Sequence, residues 1–279
     1  MSYFFDKHAR IGVAVLDTGI YPHVDFENRI RVFKDFVNNI KRPYDDNGHG
    51  THVSGIIAGA GIANKRYRGV APMANIIALK TLDKKGNGEV ENVIKANEWI
   101  LENCIKYNIR IVNISMGAAP ANKDEYTPKE KRFIENVERL WDAGIVVVAA
   151  AGNNGPESNS ITIPGVSKKV ITVGNCENTS ISKTSSGRGP TVDRILKPDI
   201  IVPGNNIMAC ANMRNAYTTK SGTSMSTPIV SGTIARMLEK NPSLTNYEIK
   251  EKLQKTAIDM GYDRNRQGFG MLNINDLLN

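Results

Sequence analysis

Cysteine is scarce in this chain: three residues, Cys104, Cys176 and Cys210, with no CxxC pair. An odd count without paired spacing argues against a disulfide framework and fits reduced thiols, with one bridge plus a free thiol as the alternative. Long apolar runs are missing as well. Nothing approaches the roughly 20 residues that span a bilayer, and the Tyr3-Phe4-Phe5 stretch is too short for a signal-peptide core, so the expectation is a cytoplasmic protein with no membrane partner, a leader outside this sequence being the alternative. Aromatic residues make up only 6% of the chain. The net charge of +8 therefore has little stacking surface beside it: Lys65, Arg66 and Arg68, the densest basic group, interleave only Tyr67. No nucleic-acid-binding motif accompanies them, and a solvated basic surface without a nucleic-acid partner is expected. Low-complexity tracts, internal repeats and linkers are absent too, which leaves one domain over 1–279 as the simplest organisation.

What the chain does contain is enough apolar material, 41% of 279 residues, to bury a substantial core. Continuous apolar runs at Ile11 to Leu16, Ile76 to Leu82, Ile111 to Ile114 and Ile145 to Ala151 read as strands buried on both faces. The segments between them carry helical periodicity, an order that indicates an α/β domain with a parallel sheet. Val90, Val93, Ile94, Ile100, Leu101 and Ile105 recur at helical spacing within 89–107. Thr127 with Glu130 forms a capping-box pattern ahead of a helix that has Pro128 in its first turn and Gly144 at its end. Thr245 with Glu248 repeats the pattern further on. The stretch from Thr223 to Lys240 reads as a long apolar helix, with Pro228 tolerated only near its start.

Chemistry-bearing residues sit at the joints of these elements. Asp17 follows the first strand, at the edge where parallel sheets bind ligands, although an Asp before Gly19 equally suits a turn. His49 lies between Gly48 and Gly50 at the start of a helical stretch, where glycine allows another backbone to come close. His52, three residues on, makes an HxxH pair, but zinc needs a third ligand and no HExxH or cysteine pair supplies one, so no metal site is expected. Ser224 opens the long C-terminal helix, a position that suits an ordinary cap and also aims backbone N–H groups at a developing negative charge. Asn153, just after a buried strand, is either a turn residue or an amide donor to that charge.

Taken together, VLDTG at Asp17, NGHGTHVSG at His49, AAAGNNG at Asn153 and SGTSMSTP at Ser224 resemble the subtilisin family of serine proteases, the subtilases, in the acid, histidine, serine order of subtilisin. GVAP at Gly69, NISMG at Asn113, SSGRGPT at Ser185 and KPDIIVPG at Lys197 extend the likeness from about Ile11 to Leu272. The resemblance implies a three-layer subtilisin-like α/β fold, with a mainly parallel central sheet flanked by helices. It implies a triad of Asp17, His49 and Ser224, and an oxyanion hole made by the Asn153 side chain and the Ser224 N–H. It further implies that Gly86-Asn87-Gly88 and Ser115-Met116-Gly117 hold an extended peptide or protein substrate as an added strand. By the same likeness Val90, Val93 and Met116 line an apolar pocket, and a broad endopeptidase with an apolar bias is expected.

Three departures from the family pattern accompany this. The stretch ahead of Asp17 shows no prosegment, which resembles a short intracellular-type member. The loop GAGIANKRYR from Gly59, where many relatives build a calcium site, has no carboxylate, and only Asp25 and Asp199 match positions near family metal sites. The expectation is that no cofactor is required, with calcium as the open alternative. The segment AAPANKDEYTPK after Gly117 is longer than the usual connection and is either a restriction on substrate entry or a surface insertion. Two other enzyme classes fit poorly: an aspartic protease needs a second DTG-type acid, and an α/β-hydrolase places its acid and histidine after the serine. From a different class, a catalytically silent subtilase that binds peptides or regulates another protease shares every motif. The oligomeric state is not legible.

Overall fold

A computed structural model describes residues 5–6, 8–122, 124–176 and 186–279. Ser185 of the SSGRGPT motif and Lys123 of the long connection lie outside them. Seven strands form one sheet: β1 (Gly12–Asp17), β2 (Ile30–Asp35), β3 (Asn75–Lys80), β4 (Ile109–Ile114), β5 (Val146–Ala150), β6 (Ile171–Asn175) and β7 (Ile200–Val202). Their spatial order is β2-β3-β1-β4-β5-β6-β7, and every neighbouring pair is parallel.

The four apolar runs became β1, β3, β4 and β5, each shifted by one or two residues at an end. All residues of β1, β4 and β5 are buried, as strands covered on both faces require. β2 was not legible as a strand because it lies at the sheet edge and is half exposed, mixing Arg31 and Lys34 with Val32 and Phe33. β6 and β7 were missed because runs of three to five residues are too short to show a period.

The helices α1 (His49–Ala58), α2 (Val90–Asn103), α3 (Pro128–Asp142) and α4 (Thr223–Lys240) cover the sheet, α1 packing on α4 and α2 on α3. This is the expected three-layer α/β arrangement. Both capping boxes form, Thr127 with Glu130 at α3 and Thr245 with Glu248 at α5 (Asn246–Thr256). A hairpin of β8 (Ile207–Cys210) and β9 (Tyr217–Lys220) leads into α4.

The chain winds to one side of β1 through β2 and β3 and to the other through β4 and later strands, so β1 and β4 flank the switch point where open sheets form a crevice. Asp17 is the last residue of β1, Ser115 follows β4, and Asn153 comes three residues after β5. Strand ends thus converge on one place.

Candidate active site

The N-terminus of α1 rests directly on the loop after β1. A Cβ on Gly50 would lie 2.2 Å from the Gly19 carbonyl oxygen, so only glycine allows this approach. The contact delivers His49 Nδ1 to the Asp17 carboxylate, at 2.7 Å from Oδ1 and 2.9 Å from Oδ2. Asp17 is buried and also accepts the Thr18 N–H. Burial alone would pull the His49 pKa down. The Asp17 charge and hydrogen bond outweigh it, and the net shift is upward from the ordinary value of 6.5.

Two residues that sequence reasoning missed hold this pair in place. Asp45 is buried, and one of its oxygens accepts from Thr18 Oγ1, Asn47 N and Gly48 N while the other accepts from Thr51 N and Thr51 Oγ1. Thr18 Oγ1 in turn accepts the Gly50 N–H at 2.9 Å, so one carboxylate ties the Asp17 loop to the start of α1. Burial would raise the Asp45 pKa, yet these donors hold it below the usual carboxylate value. Lys80, fully buried at the end of β3, donates to the carbonyls of Thr18 and Leu82 and to Asp46 Oδ1. The Asp-x-x-Gly spacing of Asp45 and Gly48 was a readable turn signal. Nothing local announces the role of Lys80.

Ser224 is the second residue of α4, after Gly222 at the cap with φ 132°. Pro228 has no N–H, so the Ser224 carbonyl loses its partner four residues on, and Ser115 Oγ donates to it at 3.1 Å instead. A buried carbonyl left unpaired would cost about 1–3 kcal/mol. Ser115 is itself held by Asn113 Nδ2, and Asn113 Oδ1 by Ser231 Oγ, a chain that fastens β4 to α4. The Ser224 hydroxyl donates to the Ser115 carbonyl at 2.8 Å. Among the described residues no hydrogen bond joins it to His49, although both line one cleft.

Asn153 Oδ1 accepts from Thr223 N and Thr223 Oγ1, at 3.1 and 3.3 Å. That orientation leaves Nδ2 as the donor facing outward, and among the described residues neither it nor the Ser224 N–H has an acceptor. First-turn N–H groups of a helix are unpaired by construction. Replacing Asn153 with Ala is expected to lower kcat by about 10²–10³ with KM little changed, measured on a peptide substrate; an equal effect on KM would show that the amide binds substrate instead.

The cleft measures about 380 Å³. It brings together His49, Ser224, Asn153, Gly86, Ser115, Met116 and Gly117, and it adds Leu82, Lys85 and Thr162 to the sequence-predicted set. Thr162 fills the space between two glycines: a Cβ on Gly117 or on Gly152 would lie 2.4 Å from its side chain. Val90 and Val93 are not brought in. Val93 is buried in the core, and Val90, half-buried, packs against that core from the same face of α2. Asn87 and Gly88 also lie outside the lining; the Asn87 carbonyl accepts from Asp83 N and Gly88 pairs with Leu82, closing the turn that presents Gly86. The described part of the long connection does not border the cleft either: Ala121 N is held by Glu130 and Tyr126 is buried.

The match to the subtilase family model runs over residues 9–271. The chain belongs to the subtilase family. It is 42% identical over 293 residues to serine protease AprX of Bacillus subtilis (strain 168), covering 95% of this chain and 65% of that protein. It is 34% identical over 264 residues to Subtilisin Savinase of Lederbergia lenta, covering 94% and 88%. The solved structure of Sphericase superposes with a TM-score of 0.82 at 29% identity, covering 95% of this chain and 91% of that one. The chain therefore spans just under two thirds of the length of AprX.

In this subtilase the residues that could be weighed as metal ligands are engaged by protein groups. His52 Nε2 faces the carbonyls of Ile207 and Thr218, both at 3.0 Å, and burial pushes its pKa down to about 4. His23, Asp25 and Cys210 approach within 4.8 Å of one another. His23 Nδ1 already accepts from Asp25 N, and its Nε2 donates to the Ala216 carbonyl. The Asp25 carboxylate takes the N–H groups of Gly61, Ile62 and Ala63, the Tyr217 hydroxyl and the Cys210 thiol. A calcium ion requires oxygen ligands, and the loop presents this acid with N–H donors, so the residues do not fit the ion.

Proposed function

We propose that this chain is a serine endopeptidase that cleaves peptide bonds through an acyl-enzyme. The observation that carries the reading is the convergence, on one cleft, of an Asp17-paired imidazole, a serine hydroxyl and two unclaimed N–H donors. Ser224 Oγ attacks the scissile carbonyl while His49 Nε2 takes its proton. The tetrahedral oxyanion is held by Asn153 Nδ2 and the Ser224 N–H. His49 then protonates the leaving amine, the C–N bond breaks, and water repeats the sequence on the ester.

The substrate is an unfolded protein or peptide lying along residues 115–117 and Gly86, with backbone pairing supplying affinity. Leu82 and Met116 give the cleft apolar surface and Thr162 limits its depth, which supports a broad preference for apolar residues of moderate size before the cut. A second reading, a silent peptide-binding subtilase, draws on the Ser224 hydroxyl being engaged by the Ser115 carbonyl. One experiment separates the two. Under the peptidase reading a fluorophosphonate labels Ser224, and unfolded casein yields internal fragments whose ends, mapped by mass spectrometry, are enriched in apolar residues. Folded protein that takes no label and leaves casein intact would establish the silent reading.

A further inference from the structure

Asp199 sits in a pocket that has the oxygen chemistry of a cation site and already contains cations. Three consecutive backbone carbonyls, of Lys168, Lys169 and Val170, point at Lys250 Nζ from 2.8, 3.1 and 2.9 Å. Asp199 Oδ1 completes the cage at 3.1 Å. Consecutive carbonyls turned to one point cannot pair with one another, so a donor must fill the centre, and an ammonium supplies three. The Lys250 ammonium does so from α5, with its side chain 15% exposed and its head 5.8 Å from the Trp141 ring centroid.

A second ammonium shares the same acceptors. Lys197 Nζ donates to the Val170 carbonyl at 2.9 Å and to Asp199 Oδ2 at 2.7 Å, and Asp199 Oδ2 also takes the Thr172 N–H. Burial pushes Lys197 down to about 8 even beside the Asp199 charge. Two ammonium groups face this one carboxylate, so a calcium ion brought to these oxygens would meet two like charges within hydrogen-bonding reach of Asp199.

We propose that Lys250 is a built-in cation: its ammonium occupies a carbonyl and carboxylate cage suited to a hard metal ion, and it locks 168–170 to Asp199 without one. The cage belongs to the stability of the fold and is separate from the catalytic reading. Opening it should convert it into a metal site. With Lys250 cut back to alanine, the Lys168 and Lys169 carbonyls lose their donor while the Val170 carbonyl and Asp199 keep Lys197 and Gln254, and the four oxygens that faced Lys250 form a set suited to a hard cation such as potassium or calcium.

The test is thermal unfolding in a Ser224→Ala background, so that self-digestion does not imitate protection by calcium. The parent is expected to move by less than about 1 °C between chelator and millimolar calcium or potassium. Lys250→Ala is expected to unfold several degrees lower and to regain about 5 °C from one of the two ions at concentrations far above its dissociation constant. A variant that gains no more from either ion than the parent does overturns the proposal. Should Lys250→Ala fail to fold, acetylation of the parent decides: Lys250 should react at least about tenfold more slowly than Lys255 on the same helix, whose side chain is 72% exposed, and equal rates overturn the cage.

Discussion

Ser224→Ala is expected to lower kcat on a chromogenic peptide by about 10⁶ while leaving the fold unchanged. The size follows from cooperation. Without the hydroxyl the His49–Asp17 pair has no proton to take, and the oxyanion donors can stabilise only a slow attack by water. Adding His49→Ala to the serine variant should then cost almost nothing more, because the two residues act as a unit. The fold should survive because the contacts that place residue 224 use its backbone: Ser115 Oγ donates to the residue 224 carbonyl, and Asn113 and Ser231 hold Ser115. Residual activity within tenfold of the parent would mean that another nucleophile carries the reaction.

Replacing Asp17 with Asn should lower kcat by about 10⁴ and move the pH profile. In the parent, kcat/KM should rise with pH as His49 loses its proton. The upward shift at His49 puts the midpoint above the ordinary 6.5. Burial opposes that shift, and the charge and hydrogen bond of Asp17 are what overcome it. The amide removes the charge and favours the wrong imidazole tautomer, so burial prevails and the midpoint should fall below the ordinary value. The measurement is kcat/KM against pH for both proteins. A parent midpoint at or below 6.5, or a variant midpoint unchanged, would count against Asp17 as the group that sets His49.

Much of this molecule could be read before any coordinates. Capping boxes at Thr127 and Thr245 marked two helix starts because their hydrogen bonds lie within three residues along the chain. The apolar runs of β1, β3, β4 and β5 were legible because a strand covered on both faces must be apolar at every position. Asp17, His49, Asn153 and Ser224 stood out because each lies in a short motif at a strand end or helix start. Valine at helical spacing, by contrast, reads the same whether it faces core or cleft; Val93 lies in the core and the half-buried Val90 packs against it, outside the cleft lining.

By itself, then, the sequence determined the buried central strands, the main helices, the family likeness and the identity of the candidate reacting groups, all of which depend on neighbours a few residues away. Only the tertiary structure decided what holds those groups and what surrounds them. Asp45 reaches Thr18 from 27 residues away, Ser115 answers the carbonyl orphaned by Pro228 from 109, and Lys250 fills carbonyls some 80 residues behind it. Such pairings are set by the register of parallel strands and the crossover helices between them. A polar side chain satisfying a distant backbone group leaves no pattern in its own stretch of sequence.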